Sequence, residues 1–150
     1  MTEVRFYHLE RQSQDQVLPM LIAKALGGGK RIVVKTSGDA ETEQLNEHLW
    51  TYHPDSFLPH GSKKDGNAAM QPVWLTAKDE NPNDADVLIL THGSVTEIAK
   101  DFSLCCEMLD GRDESAVKEA RTRWKSYAEA GHKVTYWKQS ERGWEEKTGK

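Results

Sequence analysis

The stretch Gly27-Gly28-Gly29-Lys30 has the composition of a phosphate cradle, but its setting argues against that chemistry. A phosphate-binding loop follows a strand, precedes a helix, and carries Ser or Thr directly after its Lys so that the hydroxyl reaches Mg²⁺. Here a helical apolar repeat precedes the glycines, the β-branched run RIVVK follows them, and Arg31 stands where the hydroxyl is needed. The stretch therefore reads as a helix C-terminus and turn. The dinucleotide fingerprint fails on the same reversed order.

The other reactive residue types fare no better. The six histidines (His8, His48, His53, His60, His92 and His132) show no HExxH or other metal-ligand spacing. His60 could act as a general base, yet no Ser or Cys sits in a nucleophile-elbow context. His92-Gly93-Ser94 follows a strand end, where α/β active sites often lie, but nothing else supports it. Asp113 and Glu114 fall at a helix N-terminus, where the macrodipole favours acids. Asp79, Glu80 and Asp84 cluster near turns without a partner group. Cys105 and Cys106 are adjacent, a spacing that allows only a strained disulfide and no metal set, so a structural role in a reducing compartment is expected. No catalytic residue, metal or cofactor is expected.

Two stretches carry binding chemistry instead. At 100° per residue, Val117, Ala120, Trp124 and Tyr127 share one helical stripe. Lys118, Arg121 and Lys125 line the adjoining stripe, and Arg123 lies on the far side of the apolar one. One reading is a packed helix with solvated charges beside it. The other is a basic ridge along an aromatic edge, where Arg121 grips a carboxylate bidentately, Lys125 adds charge and the edge takes an apolar side chain. In the second stretch, Leu49-Trp50 leads into Pro54 and Ser56-Phe57-Leu58-Pro59-His60-Gly61. Trp50, Phe57 and Leu58 among rigidifying prolines either fold back onto the core or form an apolar docking surface, and the clustering favours the surface.

The elements that must position these residues follow from periodicity. Residues 4–9, 31–35, 73–76, 86–90, 103–109 and 133–138 read as strands. An amphipathic helix starts at Asp15, with Pro19 in its first turn. A second is capped by Ser37 or Asp39, and a third spans 114–130. The order predicts an α/β fold with a mainly parallel sheet flanked by helices. Residues 1–138 are read as one domain and 139–150 as a charged, frayed tail. The long stretch between Trp50 and Val73 is the anomaly, because loops of that length are usually functional or disordered.

A net charge of −4 offers little for counterion release, so direct binding to nucleic acid is not expected. The start Met1-Thr2-Glu3-Val4 lacks a signal-peptide pattern, and no stretch is long and apolar enough to cross a bilayer, so a cytoplasmic location is expected.

Taken in order, FYHL, KALGGGKRIVV, LW with SFLPHG, PVWLT, and ARTRWKSY with AG resemble the chi subunit of DNA polymerase III, from Phe6 to about Trp137. The resemblance implies a Rossmann-like topology without a phosphate-binding loop, and a non-catalytic adaptor in DNA replication. Such an adaptor joins the clamp loader, through psi, to the acidic C-terminal tail of single-stranded-DNA-binding protein, and meets DNA only indirectly. It implies tail-binding positions at Arg121, Trp124 and Lys125, adjoined by Lys118 and Leu109. Trp50 and Phe57, with Leu58, match the psi-facing side. Trp124 stands where some relatives carry Tyr, and MLDGRDE departs from better-known relatives, which leaves Leu109 the least anchored position. A helicase, or the clamp loader directly, is an alternative partner. The competing functions are a small α/β enzyme of nucleotide or phosphate metabolism, and a direct single-strand binder stacking bases on Trp50, Trp74 and Trp124.

Overall fold

A computed structural model describes residues 2–9, 14–51, 60–62, 67–91, 94–140 and 143–147. The chain begins with β1 (Glu3–Leu9), whose aromatic and β-branched residues suit a buried strand. Then come α1 (Gln14–Gly27), β2 (Ile32–Lys35), α2 (Asp39–Thr51), β3 (Val73–Thr76) and β4 (Val87–Leu90). The chain closes with β5 (Leu104–Asp110), α3 (Glu114–Glu129), β6 (Lys133–Ser140) and β7 (Gly143–Lys147).

One seven-stranded sheet runs in the order β3-β2-β4-β5-β1-β6-β7. Strands β1 to β6 pair in parallel, and β7 pairs antiparallel with β6. This is the expected α/β fold with a mainly parallel sheet. Because side chains alternate along a strand, the sheet feeds two separate cores. On one face α1 and α2 bring Leu18, Ile22, Leu45 and Leu49 onto Ile32, Val34, Leu75 and Ile89. On the other, α3 lays Ala120, Val117, Trp124 and Tyr127 over Val4, Phe6, Cys105 and Leu109. Adjacent Cys105 and Cys106 thus point to opposite cores, both as free thiols. Burial pushes the Cys106 thiol up to about 12 and raises Cys105 well above its ordinary value, so neither is a ready nucleophile.

Local chemistry ends the helices where the sequence predicts, with small shifts at their starts. Gly29, at φ 79°, closes α1: its N–H donates to the Leu26 carbonyl and that of Lys30 to Ala25. This paired pattern needs a left-handed residue, and it accounts for the glycine run without any phosphate. Gly131, at φ 90°, ends α3 the same way. The first bond of α2 runs from Thr42 N–H to the Gly38 carbonyl, so the cap position falls on Gly38, between the two expected residues. Pro19 lies inside α1, one residue deeper than expected and in the second turn, because the helix starts at Gln14. Its missing N–H leaves a helical bond unmade there.

The stretch read as a charged, frayed tail from 139 contains strand among the described residues. β6 runs on to Ser140 and β7 adds a further strand, with Trp144 meeting the Tyr7 ring edge-on at 5.0 Å. At the opposite sheet edge Gly61 bridges Trp74 of β3, its N–H donating to Val73 and its carbonyl accepting from Leu75. Buried His60 bonds the Asn46 carbonyl on α2. The middle of the long stretch between Trp50 and Val73 is therefore fastened to the fold at His60 and Gly61.

Candidate functional site

Helix α3 is held on the sheet so that its cations face outward along one edge. Asp113 caps it, accepting from the N–H groups of Ser115 and Ala116. Deeper in, Arg123 Nε donates to Glu107 Oε1 at 2.7 Å and the Tyr127 hydroxyl donates to Glu107 Oε2 at 2.7 Å. Glu107 is 2% exposed. Burial raises its carboxyl above the ordinary value even though Arg123 and the Tyr127 hydroxyl pull it down. Tyr127 is raised in turn by burial and by that neighbouring carboxylate. The pair fixes the rotation of α3, putting Arg123 inward and the other basic stripe outward. Sequence reading missed Glu107; the available signal was one acid inside the otherwise apolar LCCEML.

With α3 so placed, an open groove of about 740 Å³ runs between it, β1 and β6. Val117, Ala120, Trp124, Tyr136 and His8 line it, with Arg121 and Lys138 as its cations. Trp124 packs on Phe6 at 5.6 Å and on Tyr136 at 6.0 Å between ring centroids, which makes the floor aromatic. A smaller depression of about 480 Å³ shares His8, Val117 and Arg121, and adds Gly111, Glu114 and Lys118. Arg121 therefore borders both hollows.

Lys118, Arg121 and Lys125 are all exposed, and no side-chain hydrogen bond or ion pair engages them among the described residues. By contrast Arg123, Arg5 and Lys35 are each paired with an acid. The ridge is thus uncommitted positive charge beside an apolar floor, a combination suited to an anion carrying an apolar group. Lys125 lies on the ridge without lining either hollow. Leu109 is 3% exposed in β5, so it supports the floor from beneath and offers no surface.

The other sequence candidates are placed as follows. Trp50 occupies the last turn of α2; Phe57 and Leu58 lie outside the described residues. His92 also lies outside them, whereas Ser94 is buried and donates to the Lys35 carbonyl. Near it Lys35 Nζ bonds Asp79 at 2.9 Å, joined by the Thr96 hydroxyl and the Glu97 N–H. Partial burial raises Asp79, but these bonds outweigh it and the carboxyl lies below its ordinary value. That cluster is an internal brace at the strand ends. Among the described residues no group of three His, Cys, Asp or Glu could hold a metal, and no helix is long and apolar enough to cross a membrane.

Fold and site together define an α/β protein with a mostly parallel sheet, its unspent chemistry concentrated in a cation-edged aromatic groove. Comparison with known proteins gives the particular family. The profile of the DNA polymerase III chi subunit, HolC, matches residues 1–135, and this chain belongs to that family. It is 37% identical over 100 residues to the probable DNA polymerase III subunit chi of Rickettsia prowazekii (strain Madrid E), covering 67% of this chain and 59% of that one. It is 26% identical to the DNA polymerase III subunit chi of Escherichia coli (strain K12), over 87% of this chain and 94% of the relative. The Pseudomonas aeruginosa subunit chi is also 26% identical, over 88% and 93%. As a chi subunit the chain is a non-catalytic accessory part of DNA polymerase III, in DNA replication.

Proposed function

We propose that this chi-family chain is an adaptor that holds the acidic C-terminal tail of single-stranded-DNA-binding protein in the α3 groove and joins the clamp loader, through psi, by a separate surface near Trp50, Phe57 and Leu58. The observation that carries the tail reading is the uncommitted ridge of Lys118, Arg121 and Lys125 beside the Trp124–Tyr136 floor. In it Arg121 and Lys125 take the terminal carboxylate and nearby acids, and the floor takes the terminal apolar side chain. Lys118 acts as a steering charge.

Direct stacking of single-stranded DNA on Trp50, Trp74 and Trp124 fits less well. Trp74 is 5% exposed and its indole N–H is committed to Glu80, so no three-tryptophan platform is available.

The test is a titration of a labelled acidic peptide with a free apolar C-terminal residue against wild type, Arg121→Ala and Lys125→Ala. A charge-assisted hydrogen bond contributes about 1.5–3 kcal/mol, so each loss should weaken binding roughly ten- to a hundredfold with the melting temperature unchanged. Equal affinity for all three proteins would remove the assignment. Amidating the peptide C-terminus should weaken wild type to a similar degree.

A further inference from the structure

We propose that His8, at the floor of the α3 groove, is an additional binding residue whose protonation couples the grip on an acidic ligand to pH; this rests on the groove being the tail-binding site. His8 comes from β1, far in sequence from the basic helix, and it borders both hollows together with Val117 and Arg121.

Three features support the placement. The ring is locked in orientation, since Nδ1 is hydrogen-bonded to the Tyr136 hydroxyl and the two rings lie 5.6 Å apart. Its far side stands directly on Gly111: a Cβ there would run into Nε2 of the ring. Gly111 is itself fastened to the end of β1 by its N–H donating to the Leu9 carbonyl at 2.7 Å. His8 and Gly111 are therefore a matched pair, and any larger residue at 111 would displace the ring from the groove. Finally, the hydroxyl partner tolerates both charge states, because it can donate to a neutral Nδ1 or accept from a protonated one.

Charged and titratable groups sit on every element around the ring. Asp110 and Arg112 lie at the end of β5 and its turn, and Asp110 interacts electrostatically with His8. Tyr136 and Lys138 come from β6, with Glu145 opposite Lys138 on β7. Glu114, Lys118 and Arg121 come from α3. An acidic ligand seated on Arg121 brings negative charge beside the ring and favours the imidazolium. By linkage, the protonated site then binds the acid more tightly. Histidine is the side chain that ordinarily changes charge between about pH 5 and 8, where the ligand's own carboxylates stay ionised.

The experiment titrates the same labelled acidic peptide against the full chain, as wild type and His8→Gln, from about pH 5.8 to 8 at fixed ionic strength. Wild type should bind about fivefold tighter at the acid end, and His8→Gln should show a flat profile. A wild-type profile retained in His8→Gln overturns the inference while leaving the groove assignment standing. Absence of wild-type binding at every pH overturns both. Should His8→Gln fail to fold, the His8 ring is followed by NMR in wild type. Its titration must move to higher pH on adding peptide, and an unmoved titration overturns the inference.

Discussion

Glu107 shows how much a single residue can hide. It sits in a strand that reads as apolar, yet it joins Arg123 and Tyr127 in a buried triad that sets the rotation of α3. Helical spacing separated Arg123 from the Lys118–Arg121–Lys125 stripe, but the reason for the separation lay in a strand residue that periodicity treats as one more core position. The contact between His8 and Gly111 was equally hidden, since sequence spacing cannot report which turn closes over which ring. Removing Glu107 leaves Arg123 without its acid in a site where the Arg side chain is only 18% exposed. Glu107→Ala should cost about 3 kcal/mol, read as a lower urea midpoint. The pH response has a definite sign. A carboxyl raised by folding holds its proton more in the native state, so its contribution favours folding at low pH and is lost as pH rises from the ordinary carboxylate value through the raised one. Glu107→Gln should abolish that part of the slope. Denaturant melts of both proteins across the acid range would show it, and identical slopes would exclude it.

At the scale of elements, most of the architecture was legible because two periods were clear. The 3.6-residue repeats marked α1 and α3, and short β-branched runs bounded by Gly, Pro and Asn marked β2, β3 and β4. The strand β7 was not legible. Its sequence, GWEEK, has no alternation strong enough to stand alone, and its stability comes from partners elsewhere. Lys138 and Trp137 of β6 stand opposite Glu145 and Glu146, and Trp144 packs on Tyr7. Tertiary context overrides local propensity there. Trp144→Ala should therefore destabilise the fold by about 2 kcal/mol, less than a fully buried Trp because the residue is only partly buried. Affinity for the acidic peptide should hardly change, since Trp144 packs against the core on the other face of the sheet from α3. A melt and a titration on one sample separate the two quantities. An unchanged melting temperature would mean that β7 contributes nothing to stability.

For the whole molecule, the consequence of a two-faced sheet is that binding surfaces can be kept apart. Helix α2, whose last turn carries Trp50, packs on the face shared with α1 and lies against β3 near one edge. Helix α3 packs on the opposite face, against β5 and β6 towards the other edge. An adaptor needs this separation, because two partners crowding one face would compete. Substitutions more than about 7–10 Å apart with no shared partners usually add within roughly 0.5 kcal/mol. Trp50→Ala should therefore weaken capture of the clamp-loader-side partner and leave acidic-peptide affinity as in wild type. Arg121→Ala should do the reverse, and the Trp50→Ala, Arg121→Ala double variant should show both losses with no coupling beyond that margin. Salt should discriminate further: the α3 contact weakens as ionic strength rises, because screening acts over about 8 Å under physiological conditions, whereas an apolar contact at Trp50 persists. The decisive measurement is a three-component assay with immobilised acidic peptide, this chain and psi. Retention of psi only when the chain is present, and its loss in either single variant, is the result an adaptor must give. If psi displaces the peptide instead, the two surfaces overlap and the bridge does not exist.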